Sequence, residues 1–429
     1  MFGKEKNSMD SPTVLRFRPH VASAYVQNLY DHSPHVAEMG FIEQQEFLDG
    51  HHLPFTGGLA QGLSRLGLPT LDVLYDVPQV QEAWERETGI ELDRENKNLS
   101  LALAAIDRFR PAVIIEQSFG LFRPSDLETI RKLFPFVKLI CMHVGFPLVG
   151  FGVPFGKSPE YDIIFATCEG FGRDFLRVGV KQVVVVPHGF DSRIGEAVSG
   201  SNTRYPLVFS GSSGFGSGTT HWSRYEYLDA LCARTPITCF LTEPRSVSSV
   251  DQTESTIKLI RQRTVDAIRR AFPESGLGPP RRLDPSLVNR PPKGWTPPSA
   301  PLNVRYPSKV RPPVYGLEMY SVLAESAITF HKGHDVEGSC SSALRLYEAT
   351  GVGSMLLTNA ANGLQELFAE EKEYVSYNGV DDCVEKALFY LDHPDERSTI
   401  AHAGQQRTLA DHTLDKRAEV VAAALMAKL

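Results

Sequence analysis

The chain has 429 residues, 42% of them hydrophobic and 22% charged, with a formal net charge of −7. This length is sufficient for two domains with cores of ordinary size. The acidic balance argues against nucleic acid as a partner. The six cysteines show no Cys-x-x-Cys pair and no zinc-ligand spacing, as is usual in a reducing compartment.

Targeting and membrane segments are not evident in the sequence. No run of about 18 apolar residues occurs. The N-terminal residues Met1–Asn7 lack the apolar centre of a signal peptide. We therefore expect a cytoplasmic, soluble protein.

Short apolar runs alternate with helical patterns in the first half of the chain. Helices are predicted at Leu99–Phe109 and Pro124–Leu133. Strands are predicted at Thr70–Leu74, Ala112–Ile115, Val137–Met142, Asp162–Ala166 and Val183–Val186. Buried strands separated by helices predict a parallel sheet that is covered on both faces.

A second series of predicted strands, again separated by helical patterns, follows in the second half of the chain. The runs are Leu207–Ser210, Ile237–Leu241, Ala327–Phe330, Ser354–Thr358 and Glu373–Tyr377. Two doubly wound α/β units joined near residues 187–204 are therefore predicted. A ligand would lie at the carboxyl ends of the strands, in a crevice between the domains.

The segment Ser339–Thr358 carries the most specific pattern. Small polar residues precede a short helix with Glu348, a Gly351-x-Gly353 turn and a strand. Such an arrangement aims a helix N-terminus at a phosphate. A carboxylate about one and a half turns into the helix can then reach the sugar hydroxyls of the same nucleotide.

Two further segments lie at the predicted joint. Val183–Asp191 is a strand that ends in Pro-x-Gly-x-Asp, which alone also fits an ordinary turn. Leu207–Gly218 is a strand that runs into a glycine-rich loop. The amides of such a loop can form a nest for a diphosphate.

The motif around Glu348 resembles the donor-nucleotide motif of GT-B glycosyltransferases, and most of all the CgeB-like, group 1-like branch. The matching positions are Arg345, Leu346, Tyr347, Glu348, Ala349, Gly351 and Gly353. The resemblance implies an α/β GT-B fold with two Rossmann-like doubly wound domains that face each other across a cleft. The expected domains are residues 1–190 on the acceptor side, 191–410 on the donor side with a basic, Pro-rich insertion at about 273–314, and a returning helix at 411–429.

The resemblance also implies donor-binding positions. The donor would be a nucleotide sugar such as a UDP-, GDP- or dTDP-sugar, with no further cofactor. Because the chain has no Asp-x-Asp, we expect no metal site. The expected donor residues are Gly211, Ser212, Lys332, His334, Ser341, Ser342, Leu344, Arg345, Glu348 and Asn359.

The chain departs from the family at one catalytic position. Retaining members carry Glu-x7-Glu, but here the residue eight before Glu348 is Cys340, and the nearest acid is Glu337. Whether the enzyme retains or inverts configuration is therefore open. An inverting enzyme needs a base in the N-terminal domain, and the candidates are His143, Glu116 and His51.

The segment Lys258–Arg311 has 12 Lys and Arg against 3 Asp and Glu. It is interpreted either as a surface insertion on the C-terminal domain or as a surface for an anionic acceptor or a membrane leaflet.

The sequence thus predicts a glycosyltransferase that transfers a sugar to a glycan, lipid-linked or protein acceptor. A catalytically silent sugar-nucleotide-binding protein stays open because Glu-x7-Glu is missing. A bilobal periplasmic sugar-binding protein is disfavoured by the lack of a signal-peptide pattern.

Overall fold

The computed structural model forms two compact units. The residues it describes are 12–20, 22–55, 57–117, 120–146, 161–177, 179–198, 203–215, 221–243, 295–296, 298–335, 340 and 342–429. Of these, the first unit holds those up to Gly145, those from 161 to Pro187, and Leu414–Leu429. The second holds Phe146 and His188–Thr413.

The first unit is built on a six-stranded parallel sheet with the order β2-β1-β3-β4-β5-β6. Its strands are β1 Val14–Arg18, β2 Thr70–Leu74, β3 Val113–Gln117, β4 Leu139–Val144, β5 Ile163–Ala166 and β6 Val183–Val185. Apolar side chains dominate these strands because both faces of the sheet are covered by helices.

The helices of this unit begin and end at recognisable signals. For example, α4 has Pro78 in its first turn, and Gly89 follows its last turn with a φ of +69°. The helices are α1 Ser23–His32, α2 Phe41–Asp49, α3 Gly58–Arg65, α4 Pro78–Thr88, α5 Lys97–Phe109, α6 Pro124–Leu133 and α7 Glu169–Arg177, with a short 3-10 helix at Pro34–Glu38.

The second unit is also built on a six-stranded parallel sheet, with the order β12-β11-β10-β7-β8-β9. Its strands are β7 Tyr205–Gly211, β8 Ile237–Leu241, β9 Val310–Arg311, β10 Ser326–His331, β11 Met355–Asn359 and β12 Val375–Tyr377. Its helices are α8 Arg193–Ala197, α9 Arg224–Arg234, α10 Leu302–Arg305, α11 Gly316–Ala324, α12 Arg345–Gly351, α13 Leu364–Leu367, α14 Val380–Asp392 and α15 Pro394–Asp411.

The last helix, α16 Leu414–Met426, belongs to the first unit and packs on α3. Its Ala418 and Leu425 share a buried cluster with Leu63 of α3. The close approach requires a small residue, because a Cβ at Gly62 would lie 2.7 Å from the Cβ of Ala418.

Each sheet has one point at which the strand order reverses. In the first sheet, β2 lies on one side of β1 and β3 lies on the other. In the second sheet, β8 and β10 flank β7 in the same way. Open parallel sheets bind their ligands at the carboxyl ends of the strands at such switch points. Sheet topology alone therefore gives one candidate ligand-binding position in each unit.

The fold class predicted from the sequence, α/β with two doubly wound parallel sheets, is confirmed. The sequence analysis did not predict two of the observed strands, β1 and β9. Most of the segment 273–314 lies outside the described residues, but its last part belongs to the second unit: Leu302 is fully buried, and β9 pairs with β8. No helix in the described ranges is both long and apolar enough to span a bilayer.

Candidate functional site

The carboxyl ends of β7 and β10 form the switch point of the second unit. Gly211 ends β7 with a φ of +147°, and the loop behind it continues through Ser212 to Phe215. Beyond β10, the chain passes through Lys332 to Asp335. These two loops carry four of the expected donor-binding residues: Gly211, Ser212, Lys332 and His334.

Arg224, in the first turn of α9, joins the two loops. Its Nη1 donates to the carbonyl of Ser212 at 3.1 Å. Its Nε and Nη2 both donate to the carbonyl of Lys332, at 3.1 and 2.6 Å. Arg224 as a whole is only 7% exposed, so α9 holds the glycine-rich loop and the β10 loop in a fixed relation.

The ammonium group of Lys332 is also held in place. Its Nζ lies 3.2 Å from Oδ1 of Asp335, which is buried. Asp335 accepts further hydrogen bonds from the amide of Ser223 at 2.8 Å and from its hydroxyl at 2.6 Å. Lys332 is thus positioned by a carboxylate that is itself fixed by the start of α9.

Three histidine rings lie at the same edge. His334 stacks on Phe146 with ring centroids 5.2 Å apart, and its ring lies 4.4 Å from that of His221. The Nδ1 of His331 is 2.8 Å from the hydroxyl of Thr358. Burial, followed by the charge of Arg224, lowers the pKa of both His221 and His331. Both rings are therefore neutral near pH 7.

The conspicuous sequence motif forms helix α12. Arg345 lies in its first turn, with Nη1 3.0 Å from Oε2 of Glu348 and Nη2 donating to the carbonyl of Ser210 at 3.1 Å. The other carboxylate oxygen of Glu348 accepts a hydrogen bond from the hydroxyl of Tyr320 at 3.2 Å. Glu348 is 4% exposed. The motif is thereby tied to the end of β7, next to the glycine-rich loop.

Glycine suits the two motif positions Gly351 and Gly353 for different structural reasons. A Cβ at Gly351 would lie 2.4 Å from the ring of Phe190, so the ring packs directly on the helix backbone. Gly353 has a φ of +85°, which favours glycine.

The remaining donor candidates are Asn359 in β11 and three residues that precede α12 in the chain, Ser341, Ser342 and Leu344. The Oδ1 of Asn359, at the end of β11, accepts a hydrogen bond from the amide of Gly333 at 2.8 Å. Ser342 is buried, and Leu344 immediately precedes α12. Ser341 lies outside the described residues. Hydrogen bonds and an ion pair connect the loops of Gly211, Ser212, Lys332 and His334 with Arg345, Glu348 and Asn359. Arg224, Asp335 and His221 take part in the contacts of these loops and were not proposed from the sequence.

The candidate bases lie in the first unit and have different surroundings. Glu116 on β3 is 1% exposed and accepts hydrogen bonds from the hydroxyl of Tyr161 and, at 3.0 Å, from the amide of Leu121. Burial raises its pKa to about 7. His143 on β4 is 7% exposed, and burial together with the charge of Arg16 lowers its pKa to about 4.

His51 follows α2 and lies among aromatic rings. Its ring centroid is 4.9 Å from that of Phe47 and 6.3 Å from that of Tyr25. Burial, and then the neighbouring His52, lower its pKa.

A buried charge network on β1 and β2 was not predicted. Asp72 accepts hydrogen bonds from Arg16 at 2.8 and 2.5 Å and from Arg18 at 2.9 Å, and Arg18 also bonds Asp49. Both arginines are at most 3% exposed. A buried charge is tolerated only with such partners. The network fixes the carboxyl end of β1.

Metal-ligating side chains do not cluster in the described part of the chain: no group of three or more His, Cys, Asp or Glu is placed to hold an ion.

Comparison with known proteins agrees with this architecture. A family model described as "Glycosyl transferase-like" matches residues 261–423. Comparison with curated protein sequences gives no match.

Solved structures resemble the chain over nearly its whole length. A glycosyltransferase from Rickettsia africae has a TM-score of 0.53 at 11% identity, covering 97% of this chain and 99% of its own. Sucrose-phosphate synthase from Thermosynechococcus elongatus has a TM-score of 0.52 at 12% identity, and the match covers 96% of this chain and 98% of that protein. Anabaena HepE in complex with UDP-glucose has a TM-score of 0.52 at 11% identity, and the match covers 96% of this chain and 99% of that protein. The chain has the GT-B fold that these proteins share.

Proposed function

We propose that this protein is a glycosyltransferase that moves a sugar, of hexose type, from a nucleotide-diphosphate sugar to an acceptor, and that it belongs to the CgeB-like branch. One observation carries the proposal: Lys332, Arg345 and Glu348 converge at the switch point of the second unit, beside the loop that follows Gly211. This is where a parallel sheet binds a nucleotide.

In this site, the carboxylate of Glu348 would accept hydrogen bonds from the ribose hydroxyls. The diphosphate would contact Lys332, Arg345, His334 and the amides near Ser212 and Ser342. The complex of Anabaena HepE with UDP-glucose supports a nucleotide sugar as the donor class. We also propose a cytoplasmic location, in accordance with the cysteine usage.

The charge of the leaving nucleoside diphosphate would be met by the protein itself. Lys332 and Arg345 supply fixed positive charge, and positioned donors stabilise developing charge better than water does. We therefore propose that transfer needs no metal ion.

A thermal-shift screen of UDP-, GDP-, dTDP- and CMP-sugars tests the proposal, because a ligand that binds only the folded state raises the midpoint of unfolding. The sugar nucleotide that stabilises the protein most is then incubated with it, and release of the nucleoside diphosphate is measured. Release by the wild-type protein is expected. Stabilisation without release would instead identify a silent sugar-nucleotide-binding protein.

The acceptor would be a glycan, a lipid-linked sugar or a protein. The basic segment from Lys258 supports an anionic acceptor or a peripheral membrane contact, since it combines 12 basic with 3 acidic residues up to Arg311. Charge reversal at Arg281, Arg282, Arg290 and Lys293 should then reduce binding to anionic vesicles at low salt and leave nucleotide affinity unchanged. Equal vesicle binding by both proteins would remove this part of the proposal.

A further inference from the structure

The carboxylate of Glu243 joins three segments of the second unit. Glu243 lies two residues beyond the end of β8. Its Oε1 accepts hydrogen bonds from the hydroxyl of Ser213, in the glycine-rich loop, and from the amide of Leu302 at 3.4 Å. Its Oε2 accepts a hydrogen bond from the amide of Asn303 at 3.1 Å. One side chain thus connects the end of β8, the glycine-rich loop and the first turn of α10.

Ser213 is central to the hydrogen bonds of the glycine-rich loop. It is fully buried, and its hydroxyl accepts a hydrogen bond from the amide of Phe215 at 3.2 Å. Donation to Glu243 therefore fixes the direction of this hydroxyl. In the same loop, the carbonyl of Gly211 accepts a hydrogen bond from the amide of Thr242 at 3.1 Å. The chain that follows β8 thus holds the loop at two points.

The first turn of α10 lies in residues 298–306, the return segment, which forms part of the basic segment of the sequence. Its Leu302 is fully buried and shares a core cluster with Phe215 and Tyr225. The hydroxyl of Tyr225, on α9, donates to the carbonyl of Ala300 at 2.5 Å. The return segment is therefore packed into the core of the second unit, beside the residues that hold the glycine-rich loop.

Loss of the Glu243 carboxylate would leave three hydrogen-bond donors without an acceptor. The hydroxyl of Ser213 is buried, and the amides of Leu302 and Asn303 have no partner within α10 because they lie in its first turn. A buried donor without an acceptor destabilises the arrangement around it. The loop would then have to be ordered by the incoming ligand, and such ordering lowers affinity.

We propose that Glu243 is a positioning residue of the diphosphate subsite and that it couples this subsite to the return segment. The inference rests on the proposed glycosyltransferase function. A carboxylate repels a phosphate, so Glu243 acts through Ser213 and the glycine-rich loop and does not contact the ligand. Because coupling between two sites is reciprocal, a bound diphosphate in turn stabilises the contacts of the return segment.

The first test compares Glu243→Gln with Glu226→Gln, which removes the same charge at an exposed position of α9. The probes are UDP and uridine, or the guanine or thymine counterparts if the thermal-shift screen selects them. In calorimetry, Glu243→Gln should bind the nucleoside diphosphate about tenfold or more weakly and the nucleoside within twofold of wild type. A carboxylate that acted only as a nearby negative charge would give the opposite sign, since its neutralisation would strengthen diphosphate binding.

Hydrogen exchange of the amides of Leu302 and Asn303 tests the coupling. A ligand that binds only the ordered state slows exchange from that state, by about tenfold at ten times Kd. In the wild-type protein, the nucleoside diphosphate should slow exchange in the peptide 301–306, and the nucleoside should not. Ser213→Ala should abolish this slowing, because it removes the hydroxyl through which Glu243 contacts the loop and leaves the contacts of Glu243 with α10 in place.

Three results would overturn the inference while the proposed function stands: unchanged or tighter diphosphate binding by Glu243→Gln, equal losses for nucleoside and nucleoside diphosphate, or unchanged exchange of the peptide 301–306 in the wild-type protein with nucleoside diphosphate bound. If Glu243→Gln does not fold, Ser213→Ala decides by the same calorimetric comparison. If the wild-type protein binds no nucleoside diphosphate, the proposed function itself fails, and this inference fails with it.

Discussion

The guanidinium of Arg345 lies 3.0 Å from the carboxylate of Glu348, and both side chains are largely buried. Arg345 also binds the carbonyl of Ser210 at the end of β7. The carboxylate that we propose binds the ribose is therefore oriented by the cation that we propose binds the diphosphate, so one ion pair links the two halves of the proposed nucleotide site.

Replacing Glu348 by alanine should weaken nucleotide binding. Loss of a charged hydrogen-bond partner costs about 1.5–3 kcal/mol, which corresponds to a tenfold to hundredfold higher Kd. Calorimetric titration of Glu348→Ala measures the effect. Glu318→Ala, at an exposed position of α11, is the control. Equal affinity of a folded Glu348→Ala variant and wild type would contradict the assignment.

The contact between Phe190 and Gly351 predicts a stability effect. A methyl group at Gly351 would overlap the Phe190 ring, whose atoms lie 2.4–2.6 Å from the added Cβ. Overpacking of this kind costs about 1–3 kcal/mol. Denaturant unfolding of Gly351→Ala should show this loss. At Gly195, in α8, nothing lies within 4 Å of an added Cβ. Gly195→Ala should therefore be neutral or stabilising, and a similar effect of both changes would refute the packing argument.

The buried carboxyl of Glu116 predicts a dependence of stability on pH. Its pKa is about 7 in the folded protein because of burial, against roughly 4.3 in an unfolded chain. The folded state thus binds more protons between these values, and the free energy of unfolding falls as pH rises through them. The full difference is on the order of 3 kcal/mol.

Glu116→Gln should remove this contribution. Urea unfolding should show the variant gaining stability over wild type between pH 5 and pH 8. Glu128→Gln, an exposed change on α6, should show no such trend. A constant difference between Glu116→Gln and wild type across this range would show that Glu116 does not ionise as argued.

Local patterns predicted most of the fold. Strands β2 and β8 and helix α6 have the bounds that the sequence gives, because apolar runs and turn residues mark both ends. Strand β1 was missed since Val14–Arg18 contains two arginines. They are buried only because Asp72 and Asp49 neutralise them, and Asp72 lies 56 residues from Arg16. No local sequence pattern indicates that residues so far apart in the chain form an ion pair.

The same reason explains what was missed in the sites. Arg224 donates to the carbonyl of Lys332, and Asp335 accepts from the amide of Ser223. Each of these hydrogen bonds joins residues more than 100 positions apart in the chain. The motif around Glu348 was visible because its glycines and carboxylate lie within one short segment.

The ion pair of Lys332 and Asp335 predicts a selective loss of affinity. Lys332→Gln removes a charge assigned to the diphosphate, so the variant should bind the nucleoside diphosphate about tenfold or more weakly. Affinity for the nucleoside alone should stay unchanged. Lys372→Gln, at an exposed position, controls for net charge. Equal losses for nucleoside and nucleoside diphosphate would indicate a general distortion of the site instead.

Metal independence is the last prediction. If Lys332, Arg345 and the backbone amides neutralise the leaving diphosphate, those groups are in place before substrate arrives, and a divalent ion adds little. Turnover of the selected nucleotide sugar should therefore be the same within about twofold in excess EDTA and in millimolar Mn²⁺ or Mg²⁺. The Lys332→Gln variant sharpens the test, because a chain that relies on its own cations should lose turnover in EDTA when one of them is removed. Turnover that disappears with EDTA and returns with Mn²⁺ in the wild-type protein would assign the charge compensation to a metal.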